Sequence, residues 1–235
     1  MLDAMRVVIT AGPTREHLDP VRFLSNPSTG KMGFAAAAEA ARRGHEVVLV
    51  AGPVALKTPN GVRRVDVVSA REMLAEVERA IWNEESGTGK GGRDAAVVSS
   101  SPVVLVSTAA VADWRPEKCA AKKLKKGVMS GVLKLVRNPD ILKTVAGKRN
   151  RKTVDLRLVG FAAETNDVLK EAARKCREKG LEFIVANDVT QKGCGFGTDT
   201  NRVTFVFPDG RMKCLPLMSK RMVAKKMLEE IEGKR

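Results

Sequence analysis

Two glycines near the start of the chain have the spacing of a phosphate-binding turn. Gly30 and Gly33 lie where a polar loop gives way to an alanine-rich helical pattern, after the first apolar run of the sequence. Backbone amides and the positive end of the helix dipole favour an anion at a helix start. Glycine also lets a phosphate approach closely because it has no side chain. Simple capping of the helix is the alternative interpretation.

A carboxylate follows a later apolar run. Residues 103–106 lead into the sequence AAVAD at 109–113, which ends in Asp113. Ligands of open α/β sheets bind beyond the carboxyl ends of the strands, and a carboxylate there can hold a cation or a ligand hydroxyl. Asp113 is therefore a candidate contact to a metal or a ligand. An aspartate that caps a turn would give the same pattern.

The densest positive charge of the chain is the sequence AKKLKK at 121–126. It lies within a segment, 114–131, that contains glycines and is expected to form a mobile lid over a site. Lysines on such a lid would bring positive charge to an anionic ligand. A solvated surface loop and a nucleic-acid patch are the alternatives that this charge pattern leaves open.

These segments need a framework that brings the carboxyl ends of several strands together. Short apolar runs without alternation predict buried strands, and amphipathic or alanine-rich patterns predict helices between them. Alternation of the two predicts βαβ units and a parallel sheet. The predicted strands are 5–10, 46–50, 62–68, 103–106, 132–136, 156–162 and 183–186, and the predicted helices are 30–43, 70–82, 138–147, 166–179 and 218–232.

The fold class that follows is a three-layer, Rossmann-like α/β arrangement, with a mostly parallel sheet and helices on both faces. Segments 202–207 and 213–217 flank an Asp-Gly turn and predict a C-terminal β-hairpin. A single domain over residues 1–235 is expected. The polar, glycine-rich segment 83–93 is expected to be a flexible insertion loop.

Composition argues against several classes of protein. Four scattered cysteines and two histidines argue against a zinc site and against a disulfide framework. No apolar run reaches the roughly 20 residues of a membrane-spanning helix, and the N-terminus lacks the pattern of a signal peptide, so a cytoplasmic protein is expected. A formal charge of +15, from 42 Lys+Arg against 27 Asp+Glu, favours anionic partners such as phosphorylated molecules or nucleic acid.

Two rival functions differ in the motifs that they require. A Rossmann oxidoreductase needs a G-x-G-x-x-G fingerprint after the first strand, and its short-chain class needs a Tyr-Lys pair. The chain has no such fingerprint and no tyrosine. A nucleic-acid-binding module, usually rich in exposed aromatic residues, is opposed by an aromatic content of 4%. It stays the alternative function because of the charge.

Together, the loop motifs resemble those of the phosphopantothenoylcysteine synthetase family. Ser25, Asn26, Ser28, Gly30 and Gly33 match its signature S-N-x-S-x-G-x-x-G position by position. Further motifs follow in the family's order, at 10–16, 109–114, 121–126, 136–142, 160–166, 186–189 and 195–201. The resemblance covers nearly the whole chain.

The resemblance implies a ligase that joins L-cysteine to 4′-phosphopantothenate in coenzyme A biosynthesis. The substrate carboxylate would attack a nucleotide α-phosphate, with release of pyrophosphate, and the amine of cysteine would then attack the acyl-nucleotidyl anhydride. The N-P-D-I motif and a pair of lysines resemble the bacterial type and favour CTP over ATP, with Mg²⁺ as the cofactor. A homodimer is implied, with the 202–217 hairpin or neighbouring β segments as its interface. The decarboxylase of the pathway, often fused ahead of this domain, is expected on a separate chain.

The resemblance also assigns roles to individual residues. The catalytic candidates are Asn26, which would orient the anhydride carbonyl, and Lys123, which would stabilise the leaving pyrophosphate. Arg22 would hold the 4′-phosphate, and Asp113 is the candidate Mg²⁺ ligand. The substrate-binding candidates are Arg22, Asn26, Ala109, Ala110 and Asp113. The nucleotide-binding candidates are Gly12, Ser28, Gly30, Gly33, Ala109, Asp113, Lys123, Lys125, Lys126, Pro139, Asp140, Ile141, Leu142, Phe161, Lys175, Lys179 and Asn187.

Overall fold

The elements of the chain follow the apolar patterns of the sequence. The structure is a computed structural model that describes residues 4–82, 102–125, 131–149, 154–164, 167–191 and 193–233. The helices are α1 (Lys31–Arg42), α2 (Ala70–Trp82), α3 (Ile141–Arg149), α4 (Val168–Glu178) and α5 (Lys220–Gly233). The strands are β1 (Arg6–Ala11), β2 (Arg15–His17), β3 (Phe23–Ser25), β4 (Glu46–Ala51), β5 (Val62–Asp66), β6 (Val103–Ser107), β7 (Trp114–Pro116), β8 (Leu135–Arg137), β9 (Leu156–Glu164), β10 (Phe183–Asp188), β11 (Thr200–Asn201), β12 (Val203–Val206), β13 (Met212–Cys214) and β14 (Met218–Ser219).

One eight-stranded sheet organises the molecule, with the strand order β13-β12-β10-β9-β6-β1-β4-β5. The strands from β5 across to β10 are parallel, and β12 and β13 form an antiparallel pair beyond β10. The chain runs outward from β1 through β4 to β5 and then crosses to β6, on the other side of β1. The switch point of the sheet therefore lies between β1 and β6, where ligands of open α/β sheets bind.

Helices cover both faces of the sheet, which confirms the predicted fold class. The face with α1 and α5 receives Val7 and Ile9 of β1, and the face with α2, α3 and α4 receives Val8. Strand β1 is buried from Val7 to Ala11. This two-sided burial explains why its sequence is an unbroken apolar run rather than an alternating pattern.

Of the strands in the three small antiparallel pairs, β2 with β3, β7 with β8, and β11 with β14, only β8 overlaps a predicted strand. Their strands have only two or three residues, which is too short to show a periodicity. The strand predicted at 132–136 forms only at its end, as β8, which pairs with β7 outside the main sheet. The predicted helix start at Asn138 is wrong, since the residue before a proline is disfavoured in the helical region, and α3 begins at Ile141.

Two predicted features lie outside the described residues. The insertion loop expected at 83–93 and residues 126–130 of the lysine-rich segment fall in the gaps between the described ranges. Within those ranges, no helix has the length and apolar character needed to cross a membrane. The four cysteines are free thiols, two of them buried and two exposed.

Candidate functional site

The predicted phosphate-binding turn forms at the switch point of the sheet. Gly30 precedes the first turn of α1 in the left-handed region, at φ 77°, where any residue with a side chain is strained. Gly33 lies against the sheet: a Cβ added to it would be 2.5 Å from both the Ala11 Cβ and the Thr108 Oγ1. Helix α1 therefore packs directly on the ends of β1 and β6, with its amino end at the switch point.

A cleft opens in front of this turn, between α1 and the carboxyl ends of β9 and β10. The structure brings five of the predicted nucleotide-binding residues together in it. These are Ser28, Gly30, Gly33, Phe161 and Asn187. They come from the first loop, from α1 and from two neighbouring strands, so the cleft is assembled by the sheet topology.

Asn26 joins the first loop to the segment that follows β6. Its Nδ2 donates hydrogen bonds to the carbonyl oxygens of Ala110, at 3.1 Å, and Val111, at 3.2 Å. The amide of Ala110 donates to the carbonyl oxygen of Gly12 at 2.9 Å. The structure thus brings the predicted catalytic residue Asn26 against the predicted substrate-binding segment.

Asp113 lies exposed at the end of that segment. Its carbonyl oxygen accepts a hydrogen bond from the amide of Asn138 at 2.8 Å, so the segment 136–142, which contains predicted nucleotide-binding residues, passes next to it. Within the described ranges, no group of three or more His, Cys, Asp or Glu side chains could hold a metal ion. A metal at Asp113 would therefore need oxygens of a bound ligand, as is usual for Mg²⁺ at phosphates.

An ion pair joins the predicted motifs on α3 and α4. Lys179 lies 2.7 Å from the Asp140 carboxylate. Burial opposes ionisation of Asp140, but hydrogen bonds from Lys179 and from the Lys143 amide outweigh it and hold the pKa of this carboxyl below its usual value. The side chains of Ile141 and Leu142 are buried in the core, at 4% and 8% exposure. A ligand would therefore meet the backbone of this segment rather than these two side chains.

Leu124, within the lysine-rich segment, is hydrogen-bonded to the loop between β2 and β3. The amide of Leu124 donates to the Asp19 carboxylate at 3.1 Å, and its carbonyl oxygen accepts from Arg22 at 3.0 Å. Arg22 also pairs with the fully buried Asp19 side chain at 2.5 Å. This hydrogen bond, opposed by burial and aided by nearby amides, holds the pKa of Asp19 well below its usual range. Lys123 and Lys125, on either side of Leu124, are exposed.

Several predicted nucleotide-binding residues do not line the cleft as the described residues define it. These are Gly12, Ala109, Asp113, Lys123, Lys125, Pro139, Asp140, Ile141, Leu142, Lys175 and Lys179. Gly12 and Ala109 are close to it, since a Cβ on Gly30 would lie 3.4 Å from the Gly12 amide and Ala109 follows the lining residue Thr108. Lys126 lies outside the described residues.

Six polar or aromatic residues that line the cleft are not among the predicted site residues: Thr29, Lys31, Thr108, Phe196, Asn201 and Lys220. The position of Lys31, directly after Gly30, is a signal that could have identified it. Phe196 and Asn201 belong to the motif at 195–201, but that motif carries no assigned role, and no local pattern points to Lys220. Asn201 and Lys220 reach the cleft through the short β11–β14 pair.

Comparison with known proteins places this site in a family. The chain matches the family model described as the DNA/pantothenate metabolism flavoprotein C-terminal domain, over residues 2–87 and 94–234. Its relatives include the coenzyme A biosynthesis bifunctional protein CoaBC of Escherichia coli K12, 43% identical over 233 residues, and that of Bacillus subtilis 168, 44% identical over 230 residues. Each alignment covers 98% of this chain and 52% of the relative.

Solved structures agree with the fold. The crystal structure of the C-terminal domain of a CoaBC protein has a TM-score of 0.76 at 40% identity, and the match covers 99% of this chain and 96% of that one. A Cab2 variant in complex with phosphopantothenate-cysteine has a TM-score of 0.73 at 15% identity, covering 98% and 87%. At that identity the second likeness is one of fold alone.

The mostly parallel sheet, with the start of α1 and a cleft at its switch point, defines a Rossmann-like domain. The chain belongs to the DNA/pantothenate metabolism flavoprotein C-terminal domain family. It spans about half the length of the curated relatives that it matches.

Proposed function

We propose that the chain is a phosphopantothenate–cysteine ligase, which joins L-cysteine to (R)-4′-phosphopantothenate through an acyl-cytidylate intermediate. The observation that carries the proposal is the contact of Asn26 with the carbonyls of Ala110 and Val111, beside the phosphate-binding turn. It places a fixed polar side chain next to a helix start that suits nucleotide phosphates. The CoaBC relatives, named for coenzyme A biosynthesis, support the same substrate class.

The first half-reaction activates the substrate carboxylate. A carboxylate oxygen of 4′-phosphopantothenate forms a bond to the α-phosphorus of CTP, and the bond to the leaving pyrophosphate breaks. The amides around Gly30 at the start of α1 hold the phosphates. Lys123 and Lys125 bring positive charge to the leaving group. Phe161 lines the cleft and provides a ring against which the nucleoside packs.

Mg²⁺ is the proposed cofactor of this half-reaction. In proteins this cation is commonly held by one or two carboxylates together with substrate phosphates. Asp113, exposed at the end of the segment after β6 that Asn26 contacts, supplies one such carboxylate, so the residues present fit an ion that substrate phosphates also hold. Bound there, Mg²⁺ would neutralise phosphate charge, and Asp113 would orient it.

The second half-reaction forms the amide. The amine of cysteine attacks the activated carbonyl, a C–N bond forms, the bond from that carbon to the phosphate oxygen breaks, and CMP leaves. Asn26 orients the anhydride for this attack. Because two backbone carbonyls hold its Nδ2, the side chain acts from a fixed position, which lowers the entropic part of the barrier. No protein nucleophile takes part.

CTP is the proposed nucleotide because the segment 138–141 and the lysines of α4 resemble the bacterial type of the family. The ion pair of Asp140 with Lys179 at 2.7 Å connects these two motifs in space. Their proximity supports a shared role at one ligand.

A homodimer is the proposed assembly. Among the described residues, exposed large apolar side chains gather on the adjacent β2–β3 and β7–β8 pairs and their loops. They include Val21, Phe23, Trp114, Leu133 and Leu135. A second copy seated on this surface would cover them. Arg22 lies between Val21 and Phe23, and we propose that it reaches the 4′-phosphate in the partner's site.

Turnover in the absence of cysteine tests the proposed function. The protein is incubated with 4′-phosphopantothenate, Mg²⁺ and either CTP or ATP, and the acyl-nucleotidyl intermediate is detected by mass spectrometry. We expect acyl-cytidylate and an equimolar amount of pyrophosphate with CTP, and less of both with ATP. No intermediate and no pyrophosphate with either nucleotide, from folded protein, would contradict the ligase. A preference for ATP would contradict only the choice of nucleotide.

A further inference from the structure

Two buried amide oxygens in the cleft have no hydrogen-bond partner among the described residues. Asn187 is 8% exposed and Asn201 is 4% exposed, and both line the cleft in front of α1. Among the described residues, none donates a hydrogen bond to the Oδ1 of either side chain. Buried polar atoms are nearly always paired, because an unpaired one loses its hydration without compensation. A donor from outside the chain is therefore expected here.

A buried lysine holds the loop that precedes Asn201 and forms one side of the cleft. Lys220 is 8% exposed, and its Nζ donates to the carbonyl oxygens of Gly195, at 3.1 Å, and Thr198, at 2.6 Å. Burial lowers the pKa of this ammonium group from its usual value. The backbone of Asn201 also pairs with Met218 in the β11–β14 pair. The backbone position of Asn201 is therefore set by the fold before a ligand binds.

A second lysine connects the same wall to the phosphate-binding turn. Lys31, the first residue of α1, donates to the carbonyl oxygen of Gly197 at 2.8 Å and to the Asp199 carboxylate at 2.7 Å. The loop 195–199 thus stands at a fixed distance from the start of α1. A molecule whose phosphates lie at Gly30 would have this loop as one wall of its site.

We propose that Asn201 is a specificity residue for the nucleoside, and that its Oδ1 accepts a hydrogen bond from a donor group of the bound nucleotide. This inference rests on the proposed function, since it takes the nucleotide to occupy the cleft. Two donor groups of CTP fit the chemistry, the 4-amino group of the base and the ribose hydroxyls. A hydrogen-bond acceptor at a fixed position in the cleft favours a nucleotide that carries such a donor. It disfavours a nucleotide that has a carbonyl oxygen at that position or lacks the donor group.

Binding of three nucleotides distinguishes the two donors. UTP has a carbonyl oxygen where CTP has the 4-amino group, and dCTP lacks the 2′-hydroxyl. We expect the unsubstituted protein to bind CTP more tightly than at least one of these, measured as Kd by calorimetry. In Asn201→Ala, the corresponding ratio of Kd values should fall by roughly tenfold, as for loss of one well-placed hydrogen bond. The ratio is the informative readout, because a general weakening of the cleft changes all three Kd values together.

Three further variants complete the experiment. Asn201→Leu fills a similar volume without an acceptor and should behave as Asn201→Ala does, even if the alanine variant does not fold. Asn201→Asp keeps an acceptor oxygen and should retain the wild-type ratios. The matched control is Asn60→Ala, in the exposed turn before β5, which should change nothing.

Three outcomes would overturn the inference. Unchanged Kd ratios in both folded Asn201 variants that lack an acceptor would remove the role of Asn201 and leave the ligase function standing. Equal affinity of the unsubstituted protein for CTP, UTP and dCTP would also remove the role of Asn201 and leave the ligase function standing. No binding of any of the three nucleotides would remove the proposed function together with the inference.

Discussion

Asn26 is the residue whose replacement should separate the two half-reactions. In Asn26→Asp, the Nδ2 that donates to Ala110 and Val111 becomes an oxygen that repels both carbonyls, so the side chain loses its orientation. We expect acyl-cytidylate to accumulate and formation of the final product to slow by roughly 10²-fold or more, as followed by mass spectrometry. Asn60→Asp, in an exposed turn, should keep wild-type rates. Normal product formation by Asn26→Asp would contradict the role of Asn26 in the second half-reaction.

Glycine substitutions test how closely α1 packs on the sheet. A Cβ at Gly33 would overlap Ala11 and Thr108 at 2.5 Å, so Gly33→Ala should destabilise the fold by roughly 1–3 kcal/mol. Gly147, within α3, has no neighbour within 4 Å and no positive φ, so Gly147→Ala should stabilise it by roughly 0.5–1 kcal/mol. Free energies of unfolding in urea measure both. Equal and small effects at the two positions would show that the contact at Gly33 is not tight.

Sequence alone finds the residues of the site that belong to local motifs. Gly30 and Gly33 are visible because a glycine pair at a predicted helix start has a physical meaning by itself. Asn201 and Lys220 are not visible in this way. Each reaches the cleft through a pair of two-residue strands, and what marks Asn201 is its unpaired, buried oxygen, which only the packed structure reveals.

At the level of elements, the β2–β3 hairpin and the lysine-rich segment are connected through Asp19. Its carboxylate binds Arg22 and the amide of Leu124, and its pKa is lowered in the folded state. A carboxyl with a lowered folded pKa contributes stability above its unfolded pKa of about 3.9 and loses it as the pH falls further. Asp19→Asn should therefore be less stable than the wild type at pH 7, and the difference should narrow below about pH 4.

Urea unfolding between pH 3 and pH 7 measures this difference. The matched control is Asp66→Asn, at an exposed carboxylate in a surface ion pair with Arg64, where little change is expected. A difference between Asp19→Asn and the wild type that stays constant over this range would contradict the account of Asp19. So would equal stability of the two proteins at pH 7.

The long helices and strands were predictable because each contains enough buried residues to show the hydrophobic pattern of its secondary structure. Strand β1 and helix α2 have this property, and the bounds of α2 agree with the prediction at 70–82. The short pairs are held by tertiary contacts instead, as when the carbonyl of Leu18 accepts a hydrogen bond from Ala120 at 2.9 Å. A pattern of local residues cannot encode such a contact.

At the scale of the whole molecule, the exposed apolar surface of the hairpins should decide the assembly. We expect the protein to be a dimer in light scattering after size exclusion, and Phe23→Asp to shift it toward the monomer because a charge would be buried at the interface. Met212→Asp, on the exposed C-terminal hairpin, is the matched control and should leave the dimer intact. A monomeric wild type, or dissociation by Met212→Asp alone, would contradict this interface.

The fold class follows from the sequence as a whole because alternation of buried strands with helices leaves few topologies. The net charge of +15 does not by itself distinguish one class of anionic ligand from another. It suits phosphorylated ligands and nucleic acid equally, and only the cleft at the switch point favours a small nucleotide. The order of strands around that switch point, and therefore the identity of the cleft walls, comes from the structure.

The most direct test of the ligase is formation of its product. The protein is incubated with 4′-phosphopantothenate, L-cysteine, CTP and Mg²⁺, and product and pyrophosphate are measured with and without cysteine. We predict phosphopantothenoylcysteine, CMP and pyrophosphate in equal amounts, with pyrophosphate release stimulated by cysteine. Absence of phosphopantothenoylcysteine with CTP and also with ATP, from protein shown to be folded, would contradict the proposed function.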